Sequence, residues 1–324
     1  MGHGKLKKFA ENETFRCLLQ PDASSVLAKP EGSRELVLRD HAIKGNWNRD
    51  MFEKPQPIVL ELGCGKGDYT IALARRHPEM NFIGVDIKGA RLWKGAKEAT
   101  EEKMGNVAFL RTRIEFIDAF FGPGEVSEIW LTFSDPQLRG SENARLTSPL
   151  FLQRYRRFLK PDGIVHLKTD SRFLYEYTQS VIRANGLQVL ASGTDIYHDG
   201  IRTGVTLENR RYATPPIASD GPLEGLANGA PENLSIFGVS WPRVATGFQE
   251  SPLPEKDEWD IDSIFEVQTF YENMFLKMGL PITYLAFRLA HEGEGFAYPT
   301  DFDAAYWREA EGPRRSFSHQ PTKQ

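Results

Sequence analysis

Alternating glycines between a short apolar run and a helical pattern are the residues of this chain best suited to binding a nucleoside. The run covers residues 58–62, and Gly63, Gly65 and Gly67 follow it. About twenty residues further on, a second apolar run ends in Asp86. Glycines let the backbone approach a ligand closely, and a carboxylate after the second strand can accept both hydroxyls of a ribose. The pattern therefore predicts half of a nucleoside-binding α/β domain.

The spacing of the glycines favours S-adenosylmethionine over a dinucleotide as the ligand. Dinucleotide-binding turns favour G-x-G-x-x-G, whereas this chain has G-x-G-x-G followed by Asp68 at the start of the next helix. An acid at that position would repel a pyrophosphate. Glu61 precedes the first glycine by two residues and suits a cationic ligand. S-adenosylmethionine carries a ribose, a sulfonium and an ammonium group but no phosphate. The glycine turn alone also fits a βα unit that binds nothing.

Length and composition set the outer limits of the prediction. The chain has 324 residues, 40% of them hydrophobic, and a net charge of −4, which suits one large domain with extensions or two small domains. No apolar stretch approaches the length of a membrane span, and the N-terminus lacks the apolar core of a signal peptide. Cys17 and Cys64 give no disulfide framework and fit a reducing cytoplasm. No base motif accompanies Cys64, so we interpret it as a small buried residue and not as a nucleophile.

The charge of the chain is distributed unevenly. Residues 1–198 carry 29 Lys and Arg against 25 Asp and Glu, and residues 199–324 carry 11 against 19. A slightly basic front part is compatible with a nucleic-acid substrate but does not require one.

Strand-like and helix-like patterns alternate along most of the chain. This alternation predicts a doubly wound, mostly parallel sheet of seven strands with helices on both faces. The predicted strands are 58–62, 81–86, 106–110, 128–133, 164–168, 187–191 and 282–289, and the predicted helices are 90–104, 114–121, 151–158, 172–184 and 265–278.

Residues 199–262 interrupt this alternation with a segment rich in Gly, Pro, Asn and Ser. We expect a mobile or loosely packed insertion within one domain that covers residues 51–290. Residues 1–50 form an N-terminal extension. Residues 291–324 read as a polar tail, poorly ordered except for a short helix near Tyr306 and Trp307.

Four acidic residues follow or end predicted strands, at the edge where ligands of open α/β sheets bind. They are Glu61, Asp86, Asp135 and Asp170. Pro136 holds Asp135 away from helical geometry. One such acid is explained by capping of the next helix, but four converging acids favour a site that performs chemistry.

Five short motifs together resemble those of the bacterial tRNA (guanine-N7-)-methyltransferases. They are E-L-G-C-G-K-G, G-V-D-I-K-G, F-S-D-P-Q, L-K-T-D and T-F-Y-E. The resemblance covers residues 5–195 and 263–290, and the D-P element with the late T-x-x-E is its most specific part. It implies a Rossmann-like class I methyltransferase fold, S-adenosylmethionine as donor, S-adenosylhomocysteine as product, and a guanine in the tRNA variable loop as target.

The resemblance also implies roles for individual residues. Glu61 and Asp86 would bind the donor together with the glycines, and a further donor contact falls near Arg113, where many relatives have Asp or Asn. At Arg113 a backbone contact is left open. Asp135 matches the proposed catalytic acid and also borders the donor. The substrate-binding positions are Arg139, Asp170, Thr269, Phe270, Tyr271 and Glu272. No metal is implied.

The resemblance names tRNA as the partner and places the N-terminal extension near it. It implies a cytoplasmic monomer or homodimer with no membrane and no obligatory protein partner. Candidate phosphate contacts are Lys5, Lys7, Lys8, Lys88, Arg91, Lys94, Arg139, Arg145, Arg156 and Arg157. Trp47 and Trp93 could stack on bases or pack internally.

Two other functions stay open at the level of the sequence. One is methylation of another RNA or a small molecule, which the glycine turn alone does not exclude. The other is RNA binding without catalysis, because the D-P element continues here as Gln137 to Glu142 with few basic residues, where relatives have Trp and more basic residues.

Overall fold

A mixed β-sheet with helices on both faces organises the chain. The computed structural model describes residues 3–32, 35–203 and 262–312. Its strands are β1 (Leu18–Leu19), β2 (Leu27–Ala28), β3 (Val37–Leu38), β4 (Ile58–Leu62), β5 (Asn81–Asp86), β6 (Val107–Arg111), β7 (Val126–Thr132), β8 (Leu159–Thr169), β9 (Val189–Gly193), β10 (Arg202–Thr203) and β11 (Thr283–Arg288). Its α-helices are α1 (His3–Asn12), α2 (Trp47–Asp50), α3 (Asp68–Arg76), α4 (Gly89–Glu101), α5 (Pro149–Tyr155), α6 (Arg172–Ala184), α7 (Asp262–Glu266), α8 (Phe270–Lys277) and α9 (Ala304–Glu311).

In the described part of the chain, nine strands form the main sheet in the order β1-β6-β5-β4-β7-β8-β11-β9-β10. Along this spatial order, each pair of neighbouring strands from β1 through β8 is parallel. Strand β11 pairs antiparallel with both β8 and β9. The doubly wound, mostly parallel class is confirmed, but the predicted count of seven strands is wrong. The two additional strands, β1 and β10, are edge strands of two residues each, too short to give a hydrophobic period.

The central strand β4 is buried on both faces, as expected for a parallel sheet covered by helices. Its residues Ile58, Leu60 and Leu62 belong to the core beneath α5 and α6. Val59 lies in the second core with α3 and α4, and Glu61 points toward the same side. The chain order reverses at β4, because β5 and β6 lie on one side of it and β7 and β8 on the other. Ligands of open α/β sheets bind at such a switch point, which lies between the loops after β4 and β7.

Two predicted helices differ from the structure. The segment 265–278 is not one helix but α7 and α8, and α8 begins after Thr269, whose hydroxyl accepts the Glu272 N–H. Residues Ile114–Ala119 form a 3-10 helix in place of the predicted helix 114–121. Within the described part of the chain, no helix is long and apolar enough to cross a membrane.

The described part of the C-terminal tail, residues 291–312, packs onto the domain. The ring of Phe302 makes edge-on contacts with Phe173 and Tyr177 of α6, at centroid distances of 5.1 and 5.3 Å. The predicted short helix around Tyr306 and Trp307 is α9. Most of the predicted insertion, residues 204–261, lies outside the described residues, as do residues 313–324.

Candidate active site

The glycine loop after β4 has two different kinds of glycine. Gly63, Gly65 and Gly67 all have positive φ, at 82°, 59° and 78°, which side chains other than glycine rarely adopt. A Cβ atom on Gly63 or Gly65 would meet nothing within 4 Å. A Cβ atom on Gly67 would lie 2.6 Å from Cε1 of Phe109. The first two glycines therefore border open space that a ligand can use, and the third is required by packing.

Asp86 ties the glycine loop to the loop after β5. Its Oδ2 accepts the backbone N–H of Gly65 at 3.0 Å, and its Oδ1 accepts that of Lys88 at 2.7 Å. The residue is 7% exposed. A carboxylate has about four acceptor positions, so each oxygen retains capacity for one hydroxyl of a ribose.

Glu61 is buried and holds three elements together. Its side chain accepts the hydroxyl of Thr70 from α3, and Oε1 accepts the hydroxyl of Thr132 from β7 at 2.5 Å. Burial raises the pKa of Glu61, and the two threonine hydroxyls oppose that rise. A positive ligand charge would favour the ionised carboxylate.

The thiol of Cys64 is unsuited to nucleophilic chemistry. Burial raises its pKa well above the ordinary value, and the charges of Glu61 and Asp86 raise it further. Because the thiolate is the reactive form, the structure supports the interpretation of Cys64 as a small buried residue.

The loop after β7 that carries Asp135 contains two residues in an unusual backbone conformation. Phe133 and Gln137 have φ of 49° and 53°, and such non-glycine positions cost of order 1–3 kcal/mol each. Oδ1 of the exposed Asp135 accepts the Gln137 N–H at 2.9 Å. The buried hydroxyl of Ser134 has no hydrogen-bond partner among the described residues. Strained backbone around an exposed acid is typical of functional loops.

The start of α8 lies beside the glycine loop. The ammonium of Lys66 is 5.3 Å from the ring centroid of Phe270. Phe270 and Tyr271 are 62% and 45% exposed, so both rings are available to a ligand.

The neighbouring positions of the same motif make internal contacts. Thr269 and Glu272 form a reciprocal capping box at the start of α8. The fully buried carboxylate of Glu272 also accepts the Lys168 ammonium at 2.7 Å and the Tyr197 hydroxyl at 2.7 Å. Burial raises the pKa of Glu272, and Lys168 opposes that rise.

Comparison with known proteins decides the family. Residues 55–211 match the family described as "Putative methyltransferase". Over 293 residues the chain is 40% identical to the tRNA (guanine-N(7)-)-methyltransferase of Bacteroides thetaiotaomicron, covering 90% of this chain and 88% of that protein. It is 39% identical over 286 residues to that of Christiangramia forsetii, covering 88% and 97%. The chain belongs to the tRNA (guanine-N7-)-methyltransferase family.

A solved structure also matches part of this family member. It is described as that of an antibiotic related methyltransferase, with 18% identity and a TM-score of 0.35 over 44% of this chain and 73% of that one. At that score the likeness carries no argument about the site.

S-adenosylmethionine is the donor that the family implies, and the residues at the switch point fit it. Gly63 and Gly65 leave open space beside the backbone, and Asp86 retains acceptors for a ribose. Glu61 and Asp86 supply negative charge for a sulfonium and an ammonium, and the same charge would repel a phosphate. The crevice between the loops after β4, β5 and β7 is therefore the candidate donor site.

The other predicted site residues follow β6, β7 and β8. Asp170 follows β8, the neighbour of β7, and is half-buried. Arg139 is exposed on the loop after β7. The Arg113 guanidinium contacts Glu115 at 3.1 Å on the surface, so its side chain is engaged away from a donor. The roles predicted for these residues stay predictions.

Residues outside the predicted set also shape the site. Thr70, Thr132, Lys66 and Lys168 contact predicted site residues directly. In the sequence, the only signal for Lys168 and Thr132 is their place near motif acids, in L-K-T-D and T-F-S-D.

Several candidate nucleic-acid contacts are internal. Arg145 is 4% exposed and donates to the Pro136 carbonyl at 3.3 Å, and its guanidinium lies 4.8 and 4.5 Å from the ring centroids of Phe173 and Tyr177. Trp47 is fully buried and stacks on a neighbouring Phe ring. Packing is therefore the role of both residues.

Proposed function

We propose that this protein methylates N7 of a guanine in the variable loop of tRNA, with S-adenosylmethionine as donor and S-adenosylhomocysteine as product. The observation that carries the proposal is the identity of about 40% to two tRNA (guanine-N(7)-)-methyltransferases along 88% or more of both chains. The acid-lined crevice at the switch point supports it independently.

The donor would be held by the loops after β4 and β5. Asp86 accepts the two ribose hydroxyls, the backbone at Gly63 and Gly65 approaches the ligand, and Glu61 sets a negative potential beneath it. The bound donor supplies an electrophilic methyl group on a sulfonium. Because Asp86 already fixes the Gly65 and Lys88 amides, the binding loops are preorganised before the ligand arrives.

The acids of the neighbouring loops would receive the guanine. N7 has a lone pair in the plane of the base, so no proton needs to be removed before attack, and the protein's task is alignment and charge stabilisation. Asp135 and Asp170 can accept the N1–H and the amino group of guanine. Their negative charge also stabilises the positive charge that develops on the purine ring.

A guanine must leave its stack to enter such a crevice, which favours a loop over a paired stem as the target. The exposed rings of Phe270 and Tyr271 at the start of α8 offer a stacking surface in its place. We further propose that the protein acts as a monomer or homodimer in the cytoplasm. Its free cysteines, Cys17 and Cys64, suit a reducing compartment.

The proposal is tested with unmodified tRNA and S-adenosylmethionine carrying a labelled methyl group, followed by nucleoside analysis. We expect label in 7-methylguanosine, and none when the variable-loop guanine is replaced by adenine. A second reaction contains ribosomal RNA in place of tRNA. Donor binding without 7-methylguanosine from tRNA, or label in ribosomal RNA alone, would contradict the proposal.

A further inference from the structure

The C-terminal segment 291–312 returns from the end of the last strand to the loops that carry the substrate-side acids. Its rings and charged groups contact two of these loops, the segment 133–145 after β7 and the segment 170–174 after β8. Neither the motifs of the domain nor the proposed chemistry requires this segment, which lies beyond the late T-x-x-E element.

The first set of contacts reaches the loop of Asp135. Nε of Arg308 donates to the backbone carbonyl of Leu138 at 2.6 Å, one residue before Arg139. The hydroxyl of Tyr298 donates to Oδ1 of Asn143 at 2.5 Å. Both contacts cross more than 150 residues of sequence.

The second set of contacts reaches the loop of Asp170. Oε2 of Glu311 accepts the backbone N–H of Phe173 at 2.9 Å, in the first turn of α6. The Arg172 guanidinium lies 5.0 Å from the ring centroid of Trp307. A carboxylate at a helix N-terminus satisfies one of its unpaired amides and complements the helix dipole.

The loop after β7 combines strained backbone with a hydrogen bond from outside the loop. Phe133 and Gln137 hold strained left-handed conformations. Short-range bonds within it include Gln137 N–H to Asp135 at 2.9 Å and Gly140 N–H to Gln137 at 3.2 Å. Strained conformations persist only where the surrounding structure holds them in place. Arg308 is part of that surrounding structure, because it binds the Leu138 carbonyl next to Gln137.

We propose that segment 291–312 positions the substrate-binding loops, with Arg308 as the positioning residue for the Asp135–Arg139 stretch and Glu311 for the stretch around Asp170. The inference rests on the proposed function, since it assigns these loops to tRNA. Arg308 acts through the Leu138 carbonyl and does not itself touch the reacting atoms.

The test compares Arg308→Ala with Arg308→Lys, which keeps a donor, and with Glu309→Ala, a change at the next exposed position of the same helix. Hydrogen exchange is measured on peptides from residues 133–145, and KM for tRNA, kcat and donor Kd are measured on the same preparations. Arg308 is exposed, so its truncation leaves the core intact.

We expect Arg308→Ala to speed hydrogen exchange in residues 133–145. KM for tRNA should rise about 3- to 10-fold, because one hydrogen bond is lost, and donor Kd should change less than about twofold. Arg308→Lys should recover most of the affinity, and Glu309→Ala should match the wild type. Glu311→Ala should speed exchange in 170–174 in the same way.

Unchanged exchange in 133–145 would overturn the positioning role. Faster exchange with an unchanged KM for tRNA would overturn the link to substrate. If the wild-type protein forms no 7-methylguanosine, the proposed function fails, while the exchange rates still decide whether the segment holds the loops.

Discussion

Alanine substitutions in the glycine loop should separate a residue needed for folding from a residue needed for donor binding. A Cβ on Gly67 would lie 2.6 Å from Cε1 and 2.8 Å from Cζ of Phe109. The Phe109 ring is fully buried and cannot move aside, because Gly84 and Gly95 also face it with no room for a Cβ. The left-handed backbone costs about 1–2 kcal/mol and overpacking about 1–3 kcal/mol, so Gly67→Ala should lose about 2–5 kcal/mol of unfolding free energy.

Gly65 and Gly124 provide the matched comparison. Their φ angles are 59° and 65°, and a Cβ on either would meet nothing within 4 Å. Both alanine variants should lose only the backbone cost of about 1–2 kcal/mol. Gly65→Ala alone should weaken donor binding, by about tenfold or more, because its methyl group occupies space that the ligand uses.

Urea unfolding gives the stabilities, and titration calorimetry with S-adenosylhomocysteine gives the affinities. A Gly67→Ala variant within about 1 kcal/mol of the wild type would refute the argument from the Phe109 ring. Unchanged affinity in Gly65→Ala, or an equal loss in Gly124→Ala, would refute the assignment of the open space to the donor.

Three further outcomes follow from the site. Asp135→Asn should slow methyl transfer about 10²- to 10³-fold while donor Kd stays within about twofold, measured in single turnovers against Asp162→Asn, a change at an exposed acid. Burial raises the pKa of Glu61, and a cationic ligand favours its ionised form. Donor affinity measured by calorimetry should therefore fall as pH falls through that raised pKa. If the affinity of Glu61→Gln changes with pH as steeply as that of the wild type, this reasoning is contradicted. Lys168→Met removes the ion-pair partner of the buried Glu272 carboxylate and should lower the unfolding free energy in urea by about 3–5 kcal/mol. Adding Glu272→Leu should recover part of that free energy. If it recovers none, the loss is due to packing alone.

The sequence was sufficient to predict the central strands because their signals are local. An apolar run, three glycines and a terminal acid occur within thirty residues of β4 and fix the order of one βαβ unit. The edge strands β1 and β10 have no such signal, since two residues cannot show a period and their pairing depends on the neighbouring strand. The place of β11 between β8 and β9 likewise depends on its neighbouring strands, so it could not be predicted from the residues of β11 alone.

The T-F-Y-E motif illustrates how one pattern supports two interpretations. The resemblance made all four residues candidates for substrate binding. The spacing of Thr269 and Glu272 is also that of a capping box, and the structure places their side chains in one. The partner of Glu272, Lys168, is 104 residues away and has no periodicity that points to it. Substrate contact by these residues therefore stays a prediction, for which Phe270 and Tyr271 have the exposed surface.

The arrangement of charge is consistent with a protein of net charge −4 that acts on a polyanion. Glu61 and Asp86 lie at the candidate donor site, where negative charge suits a cationic donor. Basic groups lie at the margin of the same crevice: the Lys88 side chain is exposed two residues after Asp86, and Arg91 is exposed on α4. The ammonium of Lys8, on α1, lies 4.4 Å from the ring centroid of Trp93, which is also on α4. In the proposed function, phosphates contact these basic groups while the base enters the crevice, so the net negative charge of the chain does not oppose binding of tRNA.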